Sequence, residues 1–376
     1  MTQPGPAGGS WFQRYLLPGF AMKAVIIGGG YATGRELAEY FLPSGPWGGL
    51  AGMILAMLIW SLVAAVTFAL AQSFGTLDYR SFFQRLLGPG WVVFEIAFLI
   101  FAVLILAVFG AAAGAIGAAT FGWPGFAGSA LLALAILLTT ALGRTAVERL
   151  FKYASFIIYA VYALFLGIAL ARFGGLIGDG FAASPPPGPG WFAGGVTYAA
   201  YNIVGAVVIL PVLRHQRSRR EAAIAGLVAG PLAMLPAILF LVAMVGFYPA
   251  IAAETLPSDF LLRQMAVPGF ALLFQLMIFV ALVESGVGSL HAINERIAGA
   301  QAARGKAAPS AAIRALTGAI ILAGCMVVAV EIGLITLIAS GYRILAVMFL
   351  VVYVLPILTI GSYRLFRPQI PRESLS

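Results

Sequence analysis

The chain has 376 residues, of which 62% are hydrophobic and only 9% are charged, and its mean hydropathy is +1.01. This composition excludes an ordinary soluble domain and an intrinsically disordered chain. The apolar runs are about twenty residues or longer, as membrane-spanning helices require, whereas the strands of a membrane barrel need only about ten. We therefore predict an all-α, multi-pass membrane protein. The net charge of +9 is attributed to loops on the cytoplasmic side, so no nucleic-acid partner is expected.

Apolar runs bounded by turn signals predict five helices in the first half of the chain. Glycines at 28–30 and charged residues at 35–36 interrupt the first of them, and a polar connection at 75–90 separates the second from the third. A Gly- and Pro-rich extracellular linker is predicted at 174–190. The five predicted helices are 12–41, 47–74, 91–121, a fourth that follows Pro124 and ends near residue 142, and 147–173.

Five more helices are predicted in the second half, at about 191–213, 222–247, 267–300, 312–330 and 342–362. The sixth has its own polar interruption at 201–205, and 331–341 is predicted either to extend the ninth helix or to form a short extracellular element. A broken helix thus opens each half. Because five is odd, the second half crosses the membrane in the opposite direction, which predicts an inverted repeat with both breaks on one pseudo-two-fold axis.

The distribution of basic residues predicts the orientation of the chain in the membrane. Connections predicted to be cytoplasmic contain most of them, including Arg80, Arg85 and the basic run at 214–220, whereas the outer side has only Arg172, Arg263 and Arg343. Both termini are therefore predicted to be cytoplasmic. The predicted organisation is a tail at 1–11, a first repeat at 12–173, the linker, a second repeat at 191–362 and a tail at 363–376.

The first break is the principal candidate for a substrate site. Glycine disfavours a helix and an intramembrane charge is costly, so glycines and charges together indicate an unwound segment that lines a polar cavity. The free N–H groups of the helix that restarts there can receive an anionic substrate group. The candidate substrate-binding residues of this segment are Gly28, Gly29, Gly30, Tyr31 and Thr33.

Three charged side chains follow the glycines. Thr33 and Glu36 fit a capping box, in which Glu36 returns to the backbone N–H of Thr33 and would compete with a substrate anion. Arg35 and Glu39 are four residues apart and are expected to pair on one helix face, either as a structural pair or as an extracellular gate. Glu36 is also a candidate coupling residue.

Polar residues near the second break are the candidates for the facing wall of the site. Asn202 can donate and accept hydrogen bonds, and aromatic rings beside an open backbone can close over a ligand. The alternative is helix–helix contact through Asn and an interfacial tyrosine. The candidate substrate-binding residues here are Tyr198, Tyr201, Asn202 and Gly205.

The eighth predicted helix contains the candidate residues for ion coupling. Glu284 is predicted to be an intramembrane carboxylate that loads and releases a proton. Ser285 and Ser289, with carbonyl groups released near Gly28, can alternatively bind Na⁺ through oxygen. A buried structural hydrogen bond to a neighbouring helix is the remaining interpretation. We find no Cys/His metal spacing, Ser-His-Asp arrangement or phosphate-binding motif, so neither an enzyme nor a cofactor is expected.

Two short motifs resemble a known family. The run from Gly29 to Glu36, followed by Tyr40 and Phe41, resembles the first-helix pattern of the YkvI-like bacterial membrane proteins, and Tyr201-Asn202 resembles their sixth-helix pattern. That family is similar to a distant branch of the amino acid, polyamine and organocation transporter superfamily.

The resemblance implies a LeuT-type five-plus-five inverted repeat in the bacterial cytoplasmic membrane. It also implies a substrate between the first and sixth helix breaks, lined by the third and eighth helices. A sodium site of the relatives would correspond to Gly28, Ser285 and Ser289, beside which the acidic Glu284 departs from a purely hydroxyl site.

The sequence therefore predicts a secondary active transporter that moves a small polar solute, an amino acid or an organic amine, by alternating access and with H⁺ or Na⁺ as the coupling ion. Two other classes stay open: a ligand-sensing membrane subunit of the same fold that does not transport, and an ion channel. The expected partners are a small-molecule substrate and the lipid bilayer. The sequence predicts no particular oligomeric state.

Overall fold

The computed structural model describes residues 9–141, 144–302, 305, 307 and 309–366. Within these ranges every regular element is a helix, which confirms the predicted all-α class. The outer parts of the predicted tails, 1–8 and 367–376, lie outside the described residues.

The described residues of the first half form nine α-helices, with short 3₁₀ turns at Leu42–Ser44 and Gly88–Gly90. The helix Gly45–Phe74 ends at Gly75, which has a φ of 62° that glycine adopts readily. The nine are α1 Trp11–Tyr15, α2 Leu17–Ile26, α3 Gly29–Thr33, α4 Arg35–Tyr40, α5 Gly45–Phe74, α6 Tyr79–Leu87, α7 Trp91–Phe121, α8 Gly125–Ala141 and α9 Arg144–Ala182.

The second half also begins with a broken helix and ends in a helical rod that contains three π-helical turns. These turns are Leu337–Gly341, Leu350–Val354 and Ile357–Gly361. The α-helices are α10 Trp191–Asn202, α11 Val204–Val208, α12 Arg219–Val245, α13 Pro257–Met265, α14 Phe270–Ala302, α15 Ala311–Ile332, α16 Leu334–Thr336, α17 Tyr342–Phe349 and α18 Ser362–Phe366.

Eight helical segments of the described chain are long and apolar enough to cross a membrane, and two shorter apolar helices, α2 and α8, accompany them. Side chains such as Leu58, Leu62 and Leu316 are exposed although they are apolar, as expected of surfaces that face lipid. The chain is therefore a multi-pass membrane protein. The eight segments are Arg35–Phe74, Tyr79–Phe121, Phe156–Ala182, Trp191–Val208, Arg219–Val245, Phe270–Gly299, Ala311–Ile332 and Leu334–Leu365.

The structure corrects the predicted boundaries at two places. The fifth predicted helix does not end at 173, because α9 continues to Ala182 and takes up half of the predicted linker. Residues 334–341 neither extend the ninth helix nor form a separate element. They begin the last helical rod, because Gly333 ends α15 with a φ of 79° that glycine adopts readily.

Two helices lie in segments predicted to be loops. In α6 the side chain of Asp78 caps the first turn by accepting a hydrogen bond from the Ser81 N–H at 2.9 Å. Phe82, Phe83 and Leu86 of this helix are fully or almost fully buried, so an apolar face holds it against the bundle. α13 lies in the connection between α12 and α14 and is likewise half apolar.

The helices form two packed groups. In the first, α12 packs along α5 and α2, and α10 packs along α5. In the second, α7 packs against α8, α14 and α15, while α9 contacts both α12 and α14. Glycines bring α5 and α12 together, because a Cβ added at Gly226 or Gly230 would overlap Ala65 or Ser61. The candidate site lies where the first group meets α7 and α14.

Candidate functional site

The first helix break is an unwound turn followed by a kink. α2 ends at Ile26, Ile27 and Gly28 leave helical geometry, and α3 begins at Gly29. A second interruption follows at Gly34, which has a φ of 80° and a position where an added Cβ would lie 2.7 Å from the Phe240 ring. Only glycine fits there without strain. The predicted break at 28–34 is thus present in the structure.

The predicted capping box is wrong. The N-cap of α4 is Gly34 rather than Thr33. The Thr33 hydroxyl instead donates to the Gly30 carbonyl at 3.1 Å and accepts a bond from the Arg35 N–H at 3.4 Å. Glu36 does not return to Thr33, because a stronger partner reaches it from another helix.

Glu36 is the most enclosed carboxylate of the site, with 3% of its surface exposed. The Tyr201 hydroxyl donates to its Oε2 at 2.6 Å, and Asn202 lines the same small cavity. A Cβ added at Gly30 would overlap the Glu36 carboxylate, so glycine is required there for this side chain to fold back over α3. The first and second breaks therefore meet at Glu36.

Four tyrosines surround this meeting point. The Tyr201 ring centroid lies 4.5 Å from that of Tyr342, 5.7 Å from that of Tyr198 and 5.9 Å from that of Tyr40. All four rings are buried. The hydroxyls of Tyr31 and Tyr198 are buried without a hydrogen-bond partner among the described residues. Polar atoms of this kind are uncommon in a packed interior.

The second break is milder than the first. α10 ends at Asn202, Ile203 keeps helical dihedral angles, and α11 starts at Val204. The Asn202 amide donates to the Tyr198 carbonyl at 3.3 Å. Gly205 is buried, and a Cβ added there would lie 3.5 Å from Ile26, so this residue faces α2.

A small cavity of about 20 Å³ lies at the two breaks, and a larger one of about 370 Å³ lies beside it. Val25, Phe101, Ile105 and Phe109 line both, so the two cavities are neighbours. The predicted residues Gly28, Glu36, Tyr201 and Asn202 line the small cavity, whereas Glu284, Ser285 and Ser289 line the large one.

The large cavity opens to the surface, because Val25 and Val208 in its wall are 37% and 39% exposed. Glu284 is partly exposed in it, and the Ser289 hydroxyl donates to the Ser285 carbonyl at 2.9 Å. The Gly28 carbonyl accepts the Ala32 N–H at 2.9 Å and lies at the other cavity. The predicted sodium ligands thus line two adjacent cavities in this structure.

Arg35 is buried and makes its polar contacts on α4 and on the segment after α12. Its guanidinium pairs with Glu39 at 2.8 Å and donates to the carbonyls of Ala252 and Glu254 at 3.0 and 2.8 Å. Tyr40 adds a bond from its hydroxyl to the Ile338 carbonyl at 2.6 Å. The expected pair of Arg35 and Glu39 is present, and it ties α4 to the segment after α12.

A second ionic cluster, not expected from the sequence, lies between α7 and α14. Arg296 pairs with Glu95 at 3.1 Å, and its guanidinium carbon lies 4.1 Å from the Phe98 ring centroid and 4.8 Å from that of Tyr79. Phe98 also lines the large cavity. No local signal identifies this pair, since its two members are about two hundred residues apart.

Comparison with known proteins gives structural matches only. No protein-family model matches the chain, and no curated protein matches it. MhsT in complex with L-phenylalanine superposes with a TM-score of 0.62 at 15% identity over 96% of this chain and 98% of that one. A mutant of the manganese transporter of Eremococcus coleocola gives 0.54 at 16% identity over 95% and 81%. The same transporter bound to an aromatic bis-isothiourea compound gives 0.54 at 20% identity over 95% and 81%.

The chain has the LeuT fold. The likeness covers almost the whole of this chain and of MhsT, so it includes both helix breaks and the helices around them. The resemblance to the YkvI-like family, the inverted repeat and the number of ten spans stay predictions.

Proposed function

We propose that this chain is a secondary active transporter that moves a small polar solute, an amino acid or an organic amine, by alternating access. The observation that carries this proposal is the asymmetry of the site. A buried polar centre at two helix breaks adjoins a cavity that opens to the surface, and we take the Arg35 contacts with the segment after α12 as the closed side of the same site. Alternating access requires such a site, with one side open at a time.

The asymmetry favours a transporter over the two alternative classes. A channel needs a continuous path, whereas here the cavity at the breaks is only about 20 Å³ and is lined by the buried side chains of Glu36, Tyr201 and Tyr342. A sensor of the same fold would bind a solute without moving it. The solved structures that this chain resembles are transporters, which supports transport over sensing.

Coupling to H⁺ or Na⁺ is part of the proposal. Glu284 in the open cavity and Glu36 at the breaks are the two carboxylates that can carry a proton. Ser285 and Ser289, together with the Gly28 carbonyl, are the oxygen ligands for a sodium ion, provided that a movement of α14 towards α3 brings them together. Hard oxygen ligands of this kind suit an alkali cation.

The proposed orientation places the open cavity on the cytoplasmic side of a bacterial inner membrane, with both termini in the cytoplasm. The excess of Lys and Arg in the connections on that side supports this orientation. Under it, Arg35 and Glu39 form the extracellular gate.

The test is solute uptake into liposomes that contain the purified protein, with imposed gradients of H⁺ and, separately, of Na⁺. We expect saturable uptake, exchange with unlabelled solute inside, and dependence on one of the two gradients. Binding without exchange would instead identify a sensor, and unsaturable flux would identify a channel.

A further inference from the structure

Glu36 is a buried carboxylate without a cation. It is 3% exposed, and no Lys, Arg or His of the described chain lies within ion-pair distance of it. The neighbouring Arg35 is directed to Glu39 and to carbonyl groups on the closed side. Burying a carboxylate is costly unless it binds a proton or pairs with a cation, so an ionised Glu36 needs a cation that the described residues do not supply.

The hydrogen-bonding groups around Glu36 suit its ionised form. The Tyr201 hydroxyl donates to Glu36 Oε2 at 2.6 Å, and Asn202, whose amide nitrogen can only donate, lines the same small cavity. Both groups belong to α10, the facing helix. A donor of this kind is what a substrate carboxylate would need, and Glu36 already occupies the Tyr201 hydroxyl.

The surroundings suit an organic cation. The rings of Tyr40, Tyr198, Tyr201 and Tyr342 cluster around the carboxylate, and aromatic faces attract ammonium groups. The site suits a metal ion less well, because the described residues contain no group of three His, Cys, Asp or Glu side chains that could bind one. Glu36 offers a single carboxylate among apolar rings.

The sizes of the two cavities match an organic cation that has an ammonium group and an apolar body. The small cavity, at about 20 Å³, has the size of one water molecule or one ammonium group. The adjoining cavity, at about 370 Å³, has Phe98, Phe101, Phe109 and Tyr159 in its wall and accommodates an apolar body. Phe101 and Phe109 border both spaces.

We propose that the solute is an organic monocation without a carboxylate group, whose ammonium nitrogen pairs with Glu36 and whose apolar body lies in the large cavity. This inference rests on the proposed transport function. It narrows the class of the transported solute from an amino acid or an amine to an amine. A zwitterionic amino acid would bring a second carboxylate next to Glu36 in a site of low dielectric constant, where like charges repel strongly.

The test compares phenethylamine with L-phenylalanine, which share an aromatic ring and an ammonium group and differ in the carboxylate. Thermal unfolding of the detergent-purified full chain is measured with each compound at millimolar concentration and, separately, with MnCl₂. A ligand that binds only the folded state raises the unfolding temperature. We expect phenethylamine to raise it and phenylalanine to leave it unchanged.

Two variants test the role of Glu36, and one matched variant is the control. In Glu36→Gln the shift with phenethylamine should disappear, with the dissociation constant raised at least tenfold. In Tyr201→Phe, which keeps the ring and removes the donor to Glu36, the shift should be reduced. Glu331→Gln, an exposed carboxylate at the end of α15, should respond as the unmodified chain does. A normal gel-filtration profile shows that each variant is folded.

Several results would overturn the inference: stabilisation by phenylalanine but not by phenethylamine, stabilisation by Mn²⁺ alone, an undiminished amine shift in Glu36→Gln, or no shift with phenethylamine, tyramine or choline. Uptake of labelled compounds into liposomes separates this inference from the transport proposal. Amine binding without uptake rejects transport and keeps the cation site. Uptake of phenylalanine with no amine binding keeps transport and rejects the cation site.

Discussion

The two sides of the central site differ in how they are held. On the closed side, Arg35 is 5% exposed and binds Glu39 together with two backbone carbonyls of the segment after α12. On the open side, Glu284 is partly exposed, and the Arg296–Glu95 pair bridges α7 and α14 beside the cavity. Under the proposed mechanism the Arg35 guanidinium closes the first side, whereas the Arg296–Glu95 pair on the second side lies beside an open cavity.

If the proposed gate is correct, its closure depends on a few polar contacts between otherwise apolar helices. Arg35 is on α4, and the carbonyl groups that it binds belong to Ala252 and Glu254 of the other half of the chain. Such contacts are strong where water is excluded and are replaced by water once the surfaces separate. Polar contacts of this kind can therefore form on one side of the site while those on the other side break. Each side can be tested by substituting the charged residues that lie on it.

The largest expected effect is on the closed side. Arg35→Ala leaves Glu39 and two carbonyls without their partner, and removing one member of a buried pair costs about 3 kcal/mol or more. We expect a clear fall in the thermal unfolding temperature in detergent. The control is Arg263→Ala, whose side chain is 57% exposed and pairs with Glu254 and Asp259. These exposed ion pairs should contribute about 1 kcal/mol or less to stability. Equal falls in the unfolding temperature of Arg35→Ala and Arg263→Ala would contradict the larger contribution expected of Arg35.

The next effect concerns two glycines, Gly30 beside Glu36 at the centre of the site and Gly288 in the wall of the open cavity. A Cβ at Gly30 would overlap Glu36, whereas a Cβ at Gly288 on α14 meets no atom within 4 Å. Gly30→Ala should destabilise by about 1–3 kcal/mol through overpacking and should abolish uptake. Gly288→Ala should be neutral or slightly stabilising, since alanine is the better helix former. The unfolding temperature and the liposome uptake of both variants test this prediction. If Gly30→Ala matches the unmodified chain in both measurements, Glu36 does not need to fold back over α3.

A smaller effect is expected from the ionic pair beside the open cavity. The Glu95 and Arg296 side chains are 18% and 11% exposed and lie 3.1 Å apart, so a double-mutant cycle of Glu95→Gln and Arg296→Gln should give a coupling of about 1 kcal/mol. Chemical denaturation in a mild detergent measures it. A coupling near zero would mean that Arg296 is held by its contacts with Phe98 and Tyr79 rather than by the charge of Glu95.

The smallest change in stability is expected for Glu284→Gln, because the amide keeps the shape of a side chain that is already partly exposed. We expect the unfolding free energy to change by about 1 kcal/mol or less. If Glu284 carries the proton, uptake in the unmodified chain rises as the outside pH falls, and uptake in the variant is flat with pH. Uptake that keeps its pH dependence in Glu284→Gln would exclude Glu284 as the proton carrier, and Glu36→Gln is then the comparison to make.

The helix layout could largely be predicted from the sequence. Long apolar runs predict the spans because backbone polar groups in lipid must be satisfied within the helix. The predicted boundaries differ from the structure mainly in the connections between spans, where backbone groups can bond to water and the sequence constrains the helix ends less. The helix α6 lies in a polar connection, yet Tyr79, Phe82, Phe83 and Leu86 are spaced as an apolar helix face, a signal that could have identified it.

The candidate site was predictable only in its local contacts. The Arg35–Glu39 pair follows from four-residue spacing on a helix and is present at 2.8 Å. The capping box failed because Glu36 bonds to Tyr201, which is 165 positions further along the chain. A local motif cannot show that a distant hydroxyl will compete for the same carboxylate.

The sequence by itself determined that this chain is an all-α membrane protein with breaks at Gly28 and Asn202, because hydropathy and helix breakers act over one or two turns. Only the tertiary structure decided that Glu36 lies among tyrosines of other helices, that Arg35 binds the segment after α12, and that the Glu284 cavity opens to the surface. These contacts join residues far apart in the chain, and packing between helices brings them together.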